Sequence, residues 1–313
     1  MNILITGGAG FIGSHLCDML IKEKYDITVI DNLILGREEN IEHLQNRPDF
    51  KFVKEDLLHL ANLDKLFADN AFDVVFHMAA NSDIQKGGKN PVVDYELTFM
   101  TTFNILQCMR NYNVKQLVFA STSAIYGETS DLLTENYGPL LPVSNYGASK
   151  LACEAFISAF SANYDIQVWI TRFPNVVGER FTHGVIYDFI HKLKKNPVEL
   201  EVLGNGEQYK PYVYVKDLVE GIIFVWQHTS EQINVYNLGV ESRTKVKEIA
   251  QMVIDAMGLS AYIKYTGGNR GWVGDVPEFR YDLTKIHNLG WKAKRTSNEA
   301  VQLAIEKALE TMK

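Results

Sequence analysis

The opening residues constrain the fold of this chain more than any other stretch. Asn2-Ile3-Leu4-Ile5-Thr6 reads as a buried strand, and Gly7, Gly10 and Gly13 follow at Gly-x-x-Gly-x-x-Gly spacing. Phe11, Ile12, His15, Leu16, Met19 and Leu20 then recur at helical spacing. A glycine turn between strand and helix lets backbone approach a pyrophosphate. It also aims free N–H groups and the positive end of a helix dipole at the phosphates. A second apolar run, Ile27-Thr28-Val29-Ile30, ends in Asp31, about 20 residues beyond the turn, where the dinucleotide fingerprint has its acid. A carboxylate there accepts hydrogen bonds from the ribose hydroxyls of NAD and repels the extra phosphate of NADP. Arg37 follows in a polar loop and reads as a solvated side chain. The pattern predicts a dinucleotide site that prefers NAD.

Short apolar runs recur at 51–53, 73–76, 116–120 and 167–171, with helical patterns over 11–23, 60–69, 92–112 and 145–163. The runs are apolar on both parities, as in a parallel sheet covered by helices on both faces. The predicted fold is α/β: a doubly wound (Rossmann) parallel sheet with a smaller α/β substrate-binding domain. Residues 1–171, joined by about 211–240, are assigned to the NAD-binding part. Residues 172–210 and 241–313 are assigned to the substrate part, with helical patterns near 185–195, 216–228, 244–257 and 296–312. The loop 32–48 is polar and reads as mobile.

Composition narrows the function. A net charge of -7 argues against a nucleic-acid surface. No run of eighteen apolar residues occurs, so no transmembrane helix is expected. A strand starting at residue 2 leaves no room for a signal peptide. Cys17, Cys108 and Cys153 are far apart in helical patterns and read as reduced core thiols of a cytoplasmic protein. The eight histidines form no ligand-spaced cluster, so no metal is expected.

Candidate chemistry begins at Tyr146-Gly147-Ala148-Ser149-Lys150. Tyrosine and lysine at i and i+4 share one face of a helix. A neighbouring ammonium favours the phenolate, which then acts as general base toward a hydroxyl. Tyr-x-x-x-Lys occurs three times, at 146, at Tyr212/Lys216 and at Tyr281/Lys285. Only the first copy follows the fifth predicted strand, beside the expected crevice. The other two read as surface or packing residues. Ser121, Thr122 and Ser123 end that strand, and each either orients a substrate oxygen or caps the loop backbone.

The chain resembles an extended short-chain dehydrogenase/reductase of the NAD-dependent nucleotide-sugar epimerase/dehydratase family. The likeness runs over nearly the full length. It is carried by Gly7 to Gly13, Asp31-Asn32-Leu33, Asp56-Leu57, His77-Met78-Ala79-Ala80, Ser121 to Gly127, Tyr146 to Lys150, Arg172 to Gly178, Gly204 to Gln208, Val213 to Asp217 and Gly274 to Pro277. The resemblance implies that Thr122, Tyr146 and Lys150 are catalytic. Gly7, Gly10, Phe11, Ile12, Gly13, Asp31, Asn32, Asp56, Leu57, Ala79 and Ala80 would line NAD together with Tyr146 and Lys150. Ser82, Thr122, Ser123, Asn175, Lys210 and Arg270 would meet a nucleotide-diphosphate sugar.

It further implies oxidation at C4 of that sugar and net 4-epimerisation. Two other outcomes stand beside it: a 4-dehydrogenase, as in bacterial GDP-heptose enzymes, and a dinucleotide-binding regulatory protein. Ala124 replaces the acid of the dehydratases, which weighs against 4,6-dehydration. Thr98 and Lys210 replace a common asparagine and arginine of the family. Subunits of the family pair through helices matching 92–112 and 145–163, so a homodimer is expected.

Overall fold

The computed structural model describes residues 1–311. Strands β1 (Asn2–Thr6), β2 (Asp26–Asp31), β3 (Phe50–Lys54), β4 (Val74–His77), β5 (Gln116–Thr122), β6 (Gln167–Phe173) and β7 (Ile233–Asn237) form one seven-stranded sheet. Every pairing in it is parallel, in the order β3-β2-β1-β4-β5-β6-β7. The predicted doubly wound sheet is therefore observed, and the segment near 235–238 does return to it as β7, with Val235 opposite Ile170.

Alternate residues of each strand feed two cores, because successive side chains of a strand point to opposite faces. Ile3, Ile5, Val29 and Phe76 pack on helices Phe11–Lys22 and Val215–His228. Leu4, Ile30, Val75 and Phe119 pack on helices Leu60–Asp69, Thr101–Asn111 and Asn145–Tyr164. A third core, including Phe189, Ile190, Leu200, Val253, Val301 and Ile305, joins helices Val185–Lys195, Val246–Ala256 and Ser297–Thr311. The parallel pairing of Asn175–Val177 with Tyr212–Tyr214 lies between this core and the sheet.

Two sequence expectations are corrected. The polar loop 32–48 is not loose: it folds into two short 3-10 turns, buries Ile41 and Leu44, and Asn40 donates to the Ala9 carbonyl at 2.9 Å. Those apolar side chains have a core to enter, which local polarity does not reveal. The helix expected over 92–112 is divided into Pro91–Asp94, a π-helical stretch Tyr95–Met100 and Thr101–Asn111. Within it the Thr98 carbonyl accepts the hydroxyls of Thr102 at 2.7 Å and Thr101 at 3.1 Å. Side-chain donors on a helix carbonyl compete with the regular backbone ladder and widen the turn.

Among the described residues no helix is long and apolar enough to cross a membrane.

Candidate active site

Strand order reverses between β1 and β4, and ligands of open α/β sheets sit at such a switch point, beyond the C-terminal strand ends. A cavity of about 720 Å³ opens there. Its first wall is the glycine turn. Gly7 has φ +68°, and a Cβ on Gly13 would stand 2.2 Å from the Gly7 carbonyl oxygen. Only bare backbone fits, so the start of helix Phe11–Lys22 lies tight under the cavity floor. No side chain caps that helix end, which leaves its N–H groups for a ligand anion.

Asp31 ends β2 at the same cavity. Its carboxylate accepts from Ala9 N at 3.0 Å and Leu33 N at 2.8 Å. Burial pushes its carboxyl up, and those two backbone donors oppose the rise. Asn32 donates to Asp56 at 2.9 Å, and Leu57, Ala79 and Ala80 complete the wall. A bare-backbone anion cradle beside a buried carboxylate has the chemistry to hold the pyrophosphate and ribose of NAD. The residues present fit that cofactor.

The catalytic candidates meet across from the glycine turn. Ser144 accepts from Gly147 N at 3.1 Å and caps helix Asn145–Tyr164. Tyr146 thus falls in the first turn and Lys150 one turn later. Gly147 lets the helix close on the end of β5, because a Cβ there would stand 2.5 Å from the Ala124 carbonyl oxygen. Tyr146 and Thr122 line the same cavity, and Thr122 accepts from Ala124 N at 3.1 Å. Lys150 is buried, donates to the Ala120 carbonyl at 2.6 Å, and lies 4.5 Å from the Phe119 ring centre.

The electrostatics correct one expectation. Lys150 was expected to hold Tyr146 acidic. In the structure burial pushes the phenol up to about 12; the neighbouring Thr122 hydroxyl opposes this, and Asp94 and Cys153 add to it. Burial likewise pushes the Lys150 ammonium down to about 8. The lysine spends its hydrogen bond on β5, and desolvation dominates both groups.

Beneath this site a buried ion pair ties the strand ends together. Arg172 donates to Glu154 at 2.7 and 3.0 Å, and Ser121 donates to the same carboxylate at 2.5 Å. Arg172 also reaches the Tyr126 hydroxyl at 3.0 Å and the Glu135 carbonyl at 2.9 Å. This network fixes the 121–127 loop from behind. Arg172 and Glu154 are far apart in the chain, so sequence spacing gave no sign of it.

Ser82, Ser123, Asn175 and Lys210 all line this cavity. Asn175 contacts the Pro211 carbonyl at 3.4 Å. Lys210 forms a buried ion pair with Asp275, and its ammonium lies 5.3 Å from the Trp272 ring centre. Arg270 departs from expectation. Its guanidinium pairs with Glu128 at the surface and is not part of the cavity wall. The Arg270 carbonyl instead backs Gly204, and Trp272 lines the cavity while remaining 36% exposed. Gln208 and Tyr212, known from the sequence only as motif or packing residues, also line the cavity, as do Phe181 and His183, which carry no motif of their own and escaped the sequence reading. The two decoy pairs stay outside the chemistry: Lys216 pairs with Glu179 and Lys285 donates to the Val235 carbonyl at 2.8 Å.

Residues 3–239 match the model of the NAD dependent epimerase/dehydratase family. The chain is 34% identical over 308 residues to a putative UDP-glucose 4-epimerase of Methanocaldococcus jannaschii, covering 97% of each. It is 31% identical to UDP-arabinose 4-epimerase 1 of Arabidopsis thaliana, covering 95% of this chain and 76% of that one. Among solved structures it is similar to a UDP-galactose 4-epimerase (36% identity, TM-score 0.90, 100% of both chains). It is also similar to the Thermus thermophilus UDP-glucose 4-epimerase in complex with NAD (30% identity, TM-score 0.88, 99% and 100% covered).

Proposed function

Because the chain belongs to the NAD dependent epimerase/dehydratase family, we propose that it is an NAD-dependent 4-epimerase of nucleotide-diphosphate sugars. The observation that carries this reading is that Tyr146, Thr122 and Lys150 line one cavity together with the glycine turn, with Lys150 one helical turn beyond Tyr146. NAD, when bound, supplies the hydride acceptor and donor at C4 and a positive charge near the phenol. Tyr146 takes the proton of the sugar 4-hydroxyl and returns it after the hydride has come back on the other face. Thr122 holds the same oxygen. Lys150 orients the nicotinamide ribose. A positioned acid–base group of this kind contributes about 10²–10⁴ in rate.

Lys210 faces the diphosphate and Asn175 lies beside it, with Ser82 and Ser123 toward the sugar. Epimerisation rather than release of a 4-keto sugar is supported by the relatives above, which carry the names of 4-epimerases. Residues 1–171 with about 211–240 are taken as the NAD part and 172–210 with 241–313 as the substrate part, although Phe279, Ile286 and Trp291 join the core of the main sheet. A homodimer is supported by an aromatic ladder on the stretch Tyr95–Met100 and helices Thr101–Asn111 and Asn145–Tyr164. Phe156 lies 5.2 Å from Phe99 and 5.6 Å from Phe103, and Tyr95 and Phe156 are 53% and 41% exposed. The protein is assigned to the cytoplasm, bound to neither nucleic acid nor membrane, in a pathway of polysaccharide biosynthesis.

Incubation with UDP-, GDP-, dTDP- and CDP-sugars, resolved by mass and proton NMR, tests the reading. The expected product has the mass of its substrate and inverted C4, and Tyr146→Phe abolishes it while NAD stays bound. Loss of two hydrogens, or no turnover of any sugar, overturns it.

A further inference from the structure

Behind one stretch of the cavity wall lies a buried polar cluster that none of the steps above uses. The wall stretch is Ser82, Asp83, Ile84 and Gln85, which line the cavity together with Tyr146. It follows the end of β4 and runs into the short helix Ile84–Lys89. Asn81, just before it, is 1% exposed. Its amide nitrogen donates to the Asp94 carboxylate at 2.7 Å and to the Asp83 carbonyl at 3.0 Å, and its amide oxygen accepts from Asp83 N at 3.2 Å. A primary amide has two donor hydrogens, so both are committed. The Asn81 backbone N–H donates to the Thr98 hydroxyl at 3.1 Å.

Asp94 is the anchor of this cluster. It is fully buried at the end of helix Pro91–Asp94. It fixes which way the Asn81 amide faces, because a reversed amide would set its oxygen against both the carboxylate and the Asp83 carbonyl. The carboxylate also supports the helix that follows the wall. A Cβ on Gly87 would stand 1.9 Å from Asp94 Oδ2, so only glycine lets helix Ile84–Lys89 rest there. The Gly87 carbonyl in turn accepts from Asn145 Nδ2 at 3.1 Å, and Asn145 directly precedes Tyr146. The wall is therefore held between a buried carboxylate and the helix that carries the tyrosine. Asn81, Gly87, Asp94 and Asn145 are themselves not part of the cavity lining. Without the carboxylate, Asn81 keeps a buried N–H with no acceptor, and the wall loses its footing.

Resting on the nucleotide-sugar reading above, we propose that Asp94 is a positioning residue for the sugar, which through Asn81 and Gly87 holds the Ser82–Gln85 wall beside Tyr146. Tyr146 is where the sugar 4-hydroxyl reacts, so the part of the substrate this wall meets is the sugar. Asp94 touches neither the nucleotide nor NAD.

The experiment compares wild type with Asp94→Leu and Gly87→Ala, measuring KM for the UDP-sugar and the affinities for UDP and NAD by calorimetry. Asp94→Leu removes the acceptor at similar size. Gly87→Ala pushes the helix off the carboxylate and leaves every charge in place. Both are expected to raise KM about 3- to 10-fold, the worth of one neutral hydrogen bond to the sugar, with UDP and NAD affinities unchanged. A merely structural role would weaken UDP and the UDP-sugar alike, and that result overturns the inference. So does an unchanged KM in either variant. Alanine favours a helix over glycine, so Gly87→Ala keeps the test in force should Asp94→Leu fail to fold. A wild type that turns over no nucleotide sugar overturns the proposed function, whereas normal wild-type turnover with unaltered variants overturns this inference alone.

Discussion

Replacing Lys150 by methionine separates what this residue does for the fold from what it does for the reaction. Burial lowers its ammonium from 10.5 to about 8. At 1.36 kcal/mol per pH unit, that difference is about 3 kcal/mol against the charged fold. The bond to the Ala120 carbonyl (2.6 Å) offsets about 1.5–3 kcal/mol, the usual worth of a charged hydrogen bond. The net effect at neutral pH is therefore small, and the trend with pH discriminates. Above pH 8 the folded chain releases the proton while the unfolded chain keeps it up to about 10.5. The unfolded state then binds more protons, so wild-type stability rises with pH through that window. Between pH 8 and 9.5 the rise is about 2 kcal/mol, on the order of 3 °C in unfolding midpoint for a chain of this length. Lys150→Met lacks it. Thermal unfolding of NAD-free proteins at pH 7, 8 and 9.5 should show the wild-type curve gaining on the variant, whose turnover falls about 10²-fold or more. Midpoints that move in parallel from pH 8 to 9.5 would refute the assignment of a desolvated, depressed lysine.

Three further outcomes are expected. Gly13→Ala should cost about 1–3 kcal/mol and abolish NAD binding, because its methyl would stand 2.2 Å from the Gly7 carbonyl oxygen; retained NAD affinity by calorimetry contradicts the cradle. Asp31→Ala should weaken NAD by about 10- to 100-fold, the worth of hydrogen bonds to a carboxylate, and admit NADP; an unchanged NAD dissociation constant removes Asp31 from the ribose. Phe156→Asp should give a monomer by sedimentation, since it places charge on the exposed aromatic ladder; an unaltered sedimentation coefficient moves the dimer contact elsewhere.

Most of the fold was legible in the sequence. Helices Phe11–Lys22, Leu60–Asp69 and Val185–Lys195 fall within a residue of their periodic patterns, because an apolar stripe is a local signal. The glycine spacing and Asp31 pointed to the cofactor wall for the same reason. Choosing Tyr146 among three Tyr-x-x-x-Lys copies needed only the rank of the preceding strand. The divided helix at Tyr95–Met100 was hidden, since its cause is hydroxyls bonding a carbonyl within the helix.

Sequence alone determined the backbone that every dinucleotide fold of this kind must have: where bare glycine is compulsory, where an acid ends a strand, which helix carries the tyrosine. Tertiary structure decided the charge states and partners. Lys210 meets Asp275, Arg270 turns away to Glu128, Tyr146 becomes a weaker acid than its neighbour implied, and Gln208 is left with an unanswered acceptor. The reason is physical. Desolvation and ion pairing depend on which distant segments close over a group, and no spacing along the chain records that.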